Sequence, residues 1–479
     1  MCPGHKSVIR RVGGPSSASA LRLHIGVCLA SMIGLCLTAT AASAETIADA
    51  LVKAYQTNPQ LNAERARQRA TDENVPQALA GYRPQIIASL SGGLQAVRNL
   101  LPDNSIQTAS QRPWTIGLTV TQTLFNGFKT ANSVRVAELQ VQSGREALRN
   151  VGQGVLLDAV TAYTNVLANQ SLVEAQRANV ASLRETLGVA RRRLTAGDVT
   201  PTDTSQAEAR LSRGLSDLNA AEVALAVSQA TYTQVIGMQP SRLIPAEPVD
   251  RLLPHSRDEA TGLAFRANPA VLAAGFDVDM AMKSINVAES SLYPTVTLQG
   301  NVSRSRQVDT TLGSNGTDLA SVVGQATVPI YDGGTAASQT RQAKEVASQS
   351  RLVLDQVRNQ ARTAAIAAWV AHEGAKVAVS AAESEVRAAS IALDGVRKEA
   401  QGGQRTTVDV LNAQQDLVAA KARLIGAQRD RVIASYTLLG AVGSLDVKTL
   451  GLHTPDYLPE VHYHQVRDAW HGLRTPPGR

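Results

Sequence analysis

The chain has 479 residues, 44% hydrophobic, 18% charged and only 3% aromatic, with a formal net charge of +7. So few aromatic side chains cannot fill the thick core of a large α/β enzyme, where Phe, Tyr and Trp carry much of the burial. Apolar content drawn mainly from Ala, Val and Leu suits thin layers of closely packed helices, and no run of eighteen apolar residues beyond position 44 marks a membrane-spanning helix.

The chain opens on Lys6, Arg10, Arg11 and Arg22, then an apolar stretch from Ile25 to Leu37, then Ala42-Ser43-Ala44. This is the order of a secretory signal peptide, residues 1–44, with cleavage before Glu45. Residues 1–44 hold four basic and no acidic side chains, so the remaining 435 residues carry only +3. A nucleic-acid partner thereby loses its electrostatic argument. All three cysteines (Cys2, Cys28 and Cys36) also fall there, so no disulfide, thiolate metal site or cysteine nucleophile is available beyond it.

The remainder is an internal duplication. Asn58-Pro59 recurs as Asn268-Pro269 and Tyr82-Arg83-Pro84 as Leu292-Tyr293-Pro294, at an offset of 210. Leu124-Phe125-Asn126-Gly127 matches Ile330-Tyr331-Asp332-Gly333, Ala162-Tyr163 matches Ala368-Trp369, and Gly197 and Asp203 match Gly403 and Asp409, all at 206. Thr231-Tyr232-Thr233 matches Ser435-Tyr436-Thr437 at 204. An ordered series of matches with small length changes marks a repeat.

The first repeat, 45–240, is expected to hold a helix over about 47–80, a β-hairpin over 85–125, a long helix over 127–196 and a return helix over 202–237. A linker, 241–257, leads to the second repeat, 258–445, with a helix over about 258–290, a hairpin over 294–331, a long helix over 333–401 and a return helix over 406–440. The polar segment 446–479 is a Pro- and His-containing tail. Asn126 and Asp332 are good helix N-caps, and no proline interrupts 114–200 or 330–454, as long helices require. Some 70 helical residues span about 100 Å, more than a compact domain can hold. Leu156, Val160, Tyr163 and Leu167 step at helical spacing, and Val410/Leu411, Leu417/Val418 and Leu424/Ile425 repeat every seven, the spacing of supercoiled hairpins.

In the hairpins the period falls to two. Ile86, Ala88, Leu90, Gly92 and Leu94 alternate with mostly polar neighbours, as do Trp114, Ile116, Leu118 and Val120. Val296, Leu298, Gly300 and Val302 repeat the pattern, and 320–328 carries a weaker version. Polar loops are expected at 98–111 and 304–317, with Arg304, Arg306, Asp309 and Asp318 as solvated loop charges. An apolar face backed by Thr, Ser, Gln and Gly is the pattern of a transmembrane barrel strand. Trp114, Ile116, Leu118 and Val120 are the expected lipid-facing residues, and Thr115, Thr119 and Thr121 the lumenal ones. Four strands leave two open edges, which hydrocarbon does not tolerate, so the barrel must close between chains; the strand count fits eight strands from two chains or twelve from three. The expected class is an α+β membrane protein with four transmembrane β-strands and long antiparallel α-helical hairpins per chain.

No phosphate-binding Gly-Lys-Ser/Thr loop, GxSxG or HExxH signature occurs, so no enzyme and no cofactor is expected. His462, His464 and His471 read as part of the Pro-containing tail rather than as a metal site.

Pro329-Ile330-Tyr331-Asp332-Gly333-Gly334, at a strand-to-helix junction, and Gly403-Gln404-Arg405-Thr406-Thr407-Val408-Asp409-Val410-Leu411, at a helical turn, resemble the TolC-type outer-membrane efflux proteins. Asn58-Pro59 and Tyr82-Arg83-Pro84 add to the resemblance, which runs from Ile47 to about Leu445. It implies a homotrimer with a twelve-stranded barrel in the outer membrane and a periplasmic helical barrel, docked to a periplasmic adaptor and an inner-membrane pump. The implied activity is a passive exit duct for efflux or type I secretion, gated at its periplasmic end. The alternative, a periplasmic coiled-coil adaptor, shares the hairpins and the signal peptide but has no use for four alternating strands. The resemblance also implies that Arg405 ties its hairpin to the neighbouring one near Thr202 and Asp203, closing the aperture at rest. A second family tie uses a Tyr where this chain has Ala400. Asp409 and the residue three positions on form two carboxylate rings in the family; here the second is Asn412, which implies one charged ring and modest cation selectivity.

Overall fold

The computed structural model describes residues 44–309 and 313–476. The expected signal peptide, apart from Ala44, and the tip of the second hairpin lie outside the described residues.

The first expected helix is three segments: α1 (Ile47–Thr57), α2 (Pro59–Asp72) and α3 (Asn74–Leu79). Its counterpart is two: α6 (Arg257–Ala267) and α7 (Pro269–Glu289). Proline has no backbone N–H to donate to the preceding helical turn, so each Asn-Pro ends one helix and begins another. The two long hairpins are α4 (Lys129–Ala196) with α5 (Pro201–Ile236), and α8 (Thr335–Gln401) with α9 (Thr407–Ala441). At 68 residues, α4 is about 100 Å long.

The repeated asparagine does two jobs in each copy. Asn58 Oδ1 accepts the Gln60 N–H at 2.9 Å while its Nδ2 donates to the Val235 carbonyl at 3.0 Å. Asn268 does the same with Ala270 N–H at 2.9 Å and the Ala441 carbonyl at 3.1 Å. Each side chain thus caps one helix start and satisfies a carbonyl at the end of its own repeat's return helix. The fit is close: a Cβ on Gly443, which has φ +83°, would lie 2.5 Å from the Ala267 carbonyl oxygen.

The main core lies where α1 and α9 pack on α4. Leu51, Leu156, Val160, Tyr163, Tyr232, Leu438 and Leu439 are buried there. The linker crosses this core, with Leu243 bridged in parallel to Glu45.

Five assigned strands make one antiparallel sheet. β1 (Gln85–Gly92) and β2 (Gln95–Leu100) both pair with β3 (Ile106–Asn126), followed by β4 (Thr295–Asp309) and β5 (Gly313–Thr327), in the order β1-β3-β4-β5. β1 and β2 are one strand in a single register, since Gly92 faces Trp114 and Gln95 faces Gln111. Gly93 N–H still donates to the Pro113 carbonyl at 3.0 Å, but Pro113 has no N–H to return, and the ladder lapses there.

The expected polar loops are mostly strand. Residues 98–100 and 106–111 remain paired, as do 304–309 and 313–317. Their outer ends are mostly polar, with Leu100, Ile106 and Val308 as scattered exceptions, so apolar alternation disappears from the sequence while backbone pairing continues. Arg304 and Asp318 are therefore not loop charges but cross-strand partners, with two hydrogen bonds of 2.7 Å.

The tail also departs from expectation, because it contains α10 (Pro459–Val466), packed on α2. His462 Nδ1 lies 2.9 Å from Asp72 Oδ2, and both side chains are buried. The acidic partner of His462 comes from 390 residues away in the sequence. Gln68 Nε2 adds a second hydrogen bond to Asp72 at 3.0 Å. Burial pushes the Asp72 carboxyl above its ordinary range, and the bonds from His462 and Gln68 pull it back. His462→Ala should cost about 1.5–3 kcal/mol at neutral pH, the value of a hydrogen bond to a charged group. Without His462 the Asp72 pKa rises further above its unfolded value, a liability that fades as pH falls through it. Melting curves of wild type and variant should therefore lie far apart at neutral pH and converge in mild acid.

Candidate functional site: the sheet wall and the helical aperture

Cross-strand partners share a face of a sheet, so the register sorts the wall's side chains. One face carries the rows Ile86–Val120–Gly300–Val322 and Ala88–Leu118–Val302–Ala320. The next row, Leu90–Ile116–Arg304–Asp318, brings in the ion pair, and Gly92–Trp114–Arg306–Gly316 follows. The three apolar stripes read residue by residue from the sequence fall on this face, and the weaker fourth stretch is divided, with Val322 here and Val323 opposite. The opposite face carries Gln85–Thr121–Gln299–Val323, Ile87–Thr119–Asn301–Ser321 and Ser91–Thr115–Ser305–Thr317. Trp114, Ile116 and Leu118 are exposed, while Thr115, Thr119 and Val120 are half-buried.

Towards the helices the apolar face continues through Leu298. A bulge at Leu124 then brings Phe125 opposite Val296. One extra residue re-aims a strand, and here it keeps an aromatic ring on the apolar face. From Val296 to Val302 this apolar band runs about 20 Å along the strand.

Aromatic residues bound the band at both ends. Trp114 sits just beyond the Arg304–Asp318 row. At the helical end are Tyr82, Phe125, Phe128, Tyr293 and Tyr331, five of the chain's sixteen aromatics; all but Phe125 are more than half exposed. Phe128 packs edge-on against Phe125 at 5.3 Å. It holds a left-handed φ of +64°, where the second repeat has Gly334, and a non-glycine residue in that region costs about 1–2 kcal/mol. Gly127 precedes it because a Cβ there would lie 2.6 Å from the Ser290 carbonyl oxygen. This junction girdle was not read from the sequence; its signal was the recurrence of scarce aromatics at all four strand–helix junctions.

At the far end of the hairpins the two turns are built alike. Thr200 and Asp203 form a capping box at the start of α5, and Thr406 and Asp409 form one at the start of α9. Asp409 Oδ2 accepts from Thr406 N–H at 3.0 Å and from its hydroxyl at 2.9 Å. These bonds hold the Asp409 carboxyl below its ordinary range. Thr202 is exposed on the first turn of α5. Arg405 Nε bonds Glu399 Oε2 at 2.9 Å, within its own hairpin. Asn412 Oδ1 accepts from the Arg210 guanidinium at 2.9 Å.

The hairpins are joined above the turns by contacts that sequence reading missed. Arg397 donates to Ser182 Oγ at 3.0 Å and to Gln414 Oε1 at 2.8 Å. Leu411 joins Leu183, Leu187, Ala190 and Ala207 in a small buried cluster. No group of three His, Cys, Asp or Glu residues is placed to hold a metal ion among the described residues.

The comparisons with known proteins agree with this geometry. The outer membrane efflux protein family model matches residues 50–238 and 261–444, the two repeats. Outer membrane efflux protein BepC of Brucella suis is 42% identical over 448 residues, covering 93% of this chain and 96% of BepC. Outer membrane protein TolC of Vibrio cholerae is 28% identical over 424 residues, covering 84% of this chain and 91% of its own. The Campylobacter jejuni CmeC outer membrane channel superposes with a TM-score of 0.72 at 14% identity, covering 83% of this chain and 85% of that one. The chain belongs to the outer membrane efflux protein family, as an outer-membrane exit duct of TolC type.

Proposed function

We propose that three copies of this chain close a twelve-stranded barrel in the outer membrane and continue it into the periplasm as a helical tunnel. The observation that carries this reading is a sheet with one apolar face and two open edges, running directly into paired helices about 100 Å long. Strand direction alternates from β1 to β5, so β5 of one copy meets β1 of the next antiparallel, and the ladder closes without a defect. The duct is passive. Energy comes from an inner-membrane pump, reached through a periplasmic adaptor that docks on the helical end. Extraction from outer-membrane fractions only with detergent, at the native mass of a trimer, is the expected behaviour; release by a salt wash would exclude a membrane wall.

The face bearing Trp114, Ile116, Leu118 and Val120 meets lipid, and the face bearing Thr115, Thr119 and Thr121 meets water. The Val120 row lies near the middle of the band, between Phe125 and the Arg304–Asp318 pair. Val120→Arg should therefore cost about 2–4 kcal/mol and Thr119→Arg far less. Equal loss of detergent-resistant trimer from both would reverse or abolish the assigned faces.

Thr202, Asp203, Arg405, Asp409 and Asn412 surround the aperture. Arg405 holds the second hairpin's turn in its resting form, so Arg405→Ser should raise single-channel conductance in planar bilayers; an unchanged value would reduce Arg405 to a solvated charge. Asp409 lines the constriction as a carboxylate ring as well as capping α9. Asp409→Asn keeps an oxygen for the cap but removes the charge, and should lower cation selectivity. A carboxyl held below its ordinary pKa keeps its charge at neutral pH and loses it only as pH falls through that lowered value. Wild-type selectivity should accordingly stay flat from neutral to mildly acidic pH.

A further inference from the structure

Asp409, Asn412 and Gln415 recur at three-residue spacing on α9 and so share one helix face. Arg210, on α5, lies along that face. Its guanidinium donates to Asn412 Oδ1 at 2.9 Å and to Gln415 Oε1. Both acceptors are neutral, and Arg210 has no ion-pair partner among the described residues; nearby Glu208 is engaged by Arg191 at 3.6 Å. The duplication gives a second, independent observation. At the repeat offset of 206, Arg210 corresponds to Asp416. The repeated fold therefore does not require a cation at this position, and the two return helices carry opposite charges there.

We propose that Arg210 is a specificity-determining residue of the duct, placing an uncompensated positive charge on the stripe that carries Asp409 and Asn412. The proposal rests on the reading that this stripe lines the constriction. On this stripe each chain then contributes the Asp409 carboxylate and the Arg210 guanidinium, so in a symmetric assembly the ring of Asp409 is offset by a ring of Arg210. The position three residues beyond Asp409 becomes an acceptor for that cation rather than a second anion. Such a constriction discriminates weakly between ions and admits anionic solutes that an acidic constriction repels. Bonding to Asn412 and Gln415 fixes the guanidinium in place and joins the two return helices. Arg213 and Asp217 also face the crevice between α4, α5 and α9, one of each sign, and leave the charge of Arg210 standing.

The test is the cation-to-anion permeability ratio from reversal potentials in planar bilayers under a salt gradient. Wild type, Arg210→Gln, Arg210→Lys and Asp409→Asn would be compared, each first checked for trimer assembly. Arg210→Gln should raise the ratio by about threefold at low salt, and the rise should shrink at high salt as the fixed charges are screened. Arg210→Lys keeps the charge and should keep the wild-type ratio. Asp409→Asn should lower the ratio. If Asp409→Asn shifts the ratio but Arg210→Gln does not, or if Arg210→Lys behaves like Arg210→Gln, the charge assigned to Arg210 is overturned while the duct-lining stripe survives. If neither Arg210→Gln nor Asp409→Asn moves the ratio, the stripe does not line the constriction and both readings fall together.

Discussion

An unpaired strand edge in hydrocarbon is the constraint from which the rest of this structure follows. Each exposed N–H or C=O there costs several kcal/mol, and the sheet has a whole row of them along β1 and another along β5. Among the described residues no segment covers either edge. The polypeptide is thus incomplete as a membrane object, and assembly completes its hydrogen bonding before it adds any function. The polar face of the sheet has the same logic, since Thr, Ser, Gln and Asn side chains belong against water and a lumen exists only once the wall has closed.

Much of this was legible in the sequence because two periodicities and one duplication carry it. The long helices begin and end within two residues of the expected positions, because glycine turns mark the ends of α4 and α8 and capping boxes mark the starts of α5 and α9. α4 and α8 themselves start after Phe128 and Gly334, two residues beyond the expected caps Asn126 and Asp332. The apolar stripes fell on one face because alternation survives wherever one side of a strand meets lipid. What was not legible has a common cause, in that it depends on partners distant in sequence. The outer strand ends look like loops because water surrounds both faces. His462 looks like a tail residue because Asp72 is 390 positions away. Arg210 looks like a surface charge because Asn412 and Gln415 come from the other repeat.

The aperture shows how local and distant roles can fall on one residue. Asp203 and Asp409 make the same capping boxes in two equivalent turns, so the fold alone explains why an acid stands at each. The duplication separates that structural requirement from what differs between the copies. Arg405 stands against Val199, Arg210 against Asp416 and Phe128 against Gly334. A residue that one copy dispenses with is not needed to build the unit, and these three are where the copies have become specialised.

The paired asparagines at the upper ends of the return helices have a mechanical consequence. Asn58 holds the end of α5 and Asn268 the end of α9, each within its own repeat. Each return helix is thus a lever pinned at one end, and α5, with 36 residues, has an arm of about 54 Å. Rotating such an arm by about 5° would displace its far tip by about 5 Å, roughly the pitch of one helical turn, and would have to shift the small buried cluster of Leu183, Leu187, Ala190, Ala207 and Leu411 that holds the tips together. Such a rotation about the anchored end would leave the packed core and the strands beyond it in register, so the bore at one end of the molecule could change width without disturbing the wall at the other.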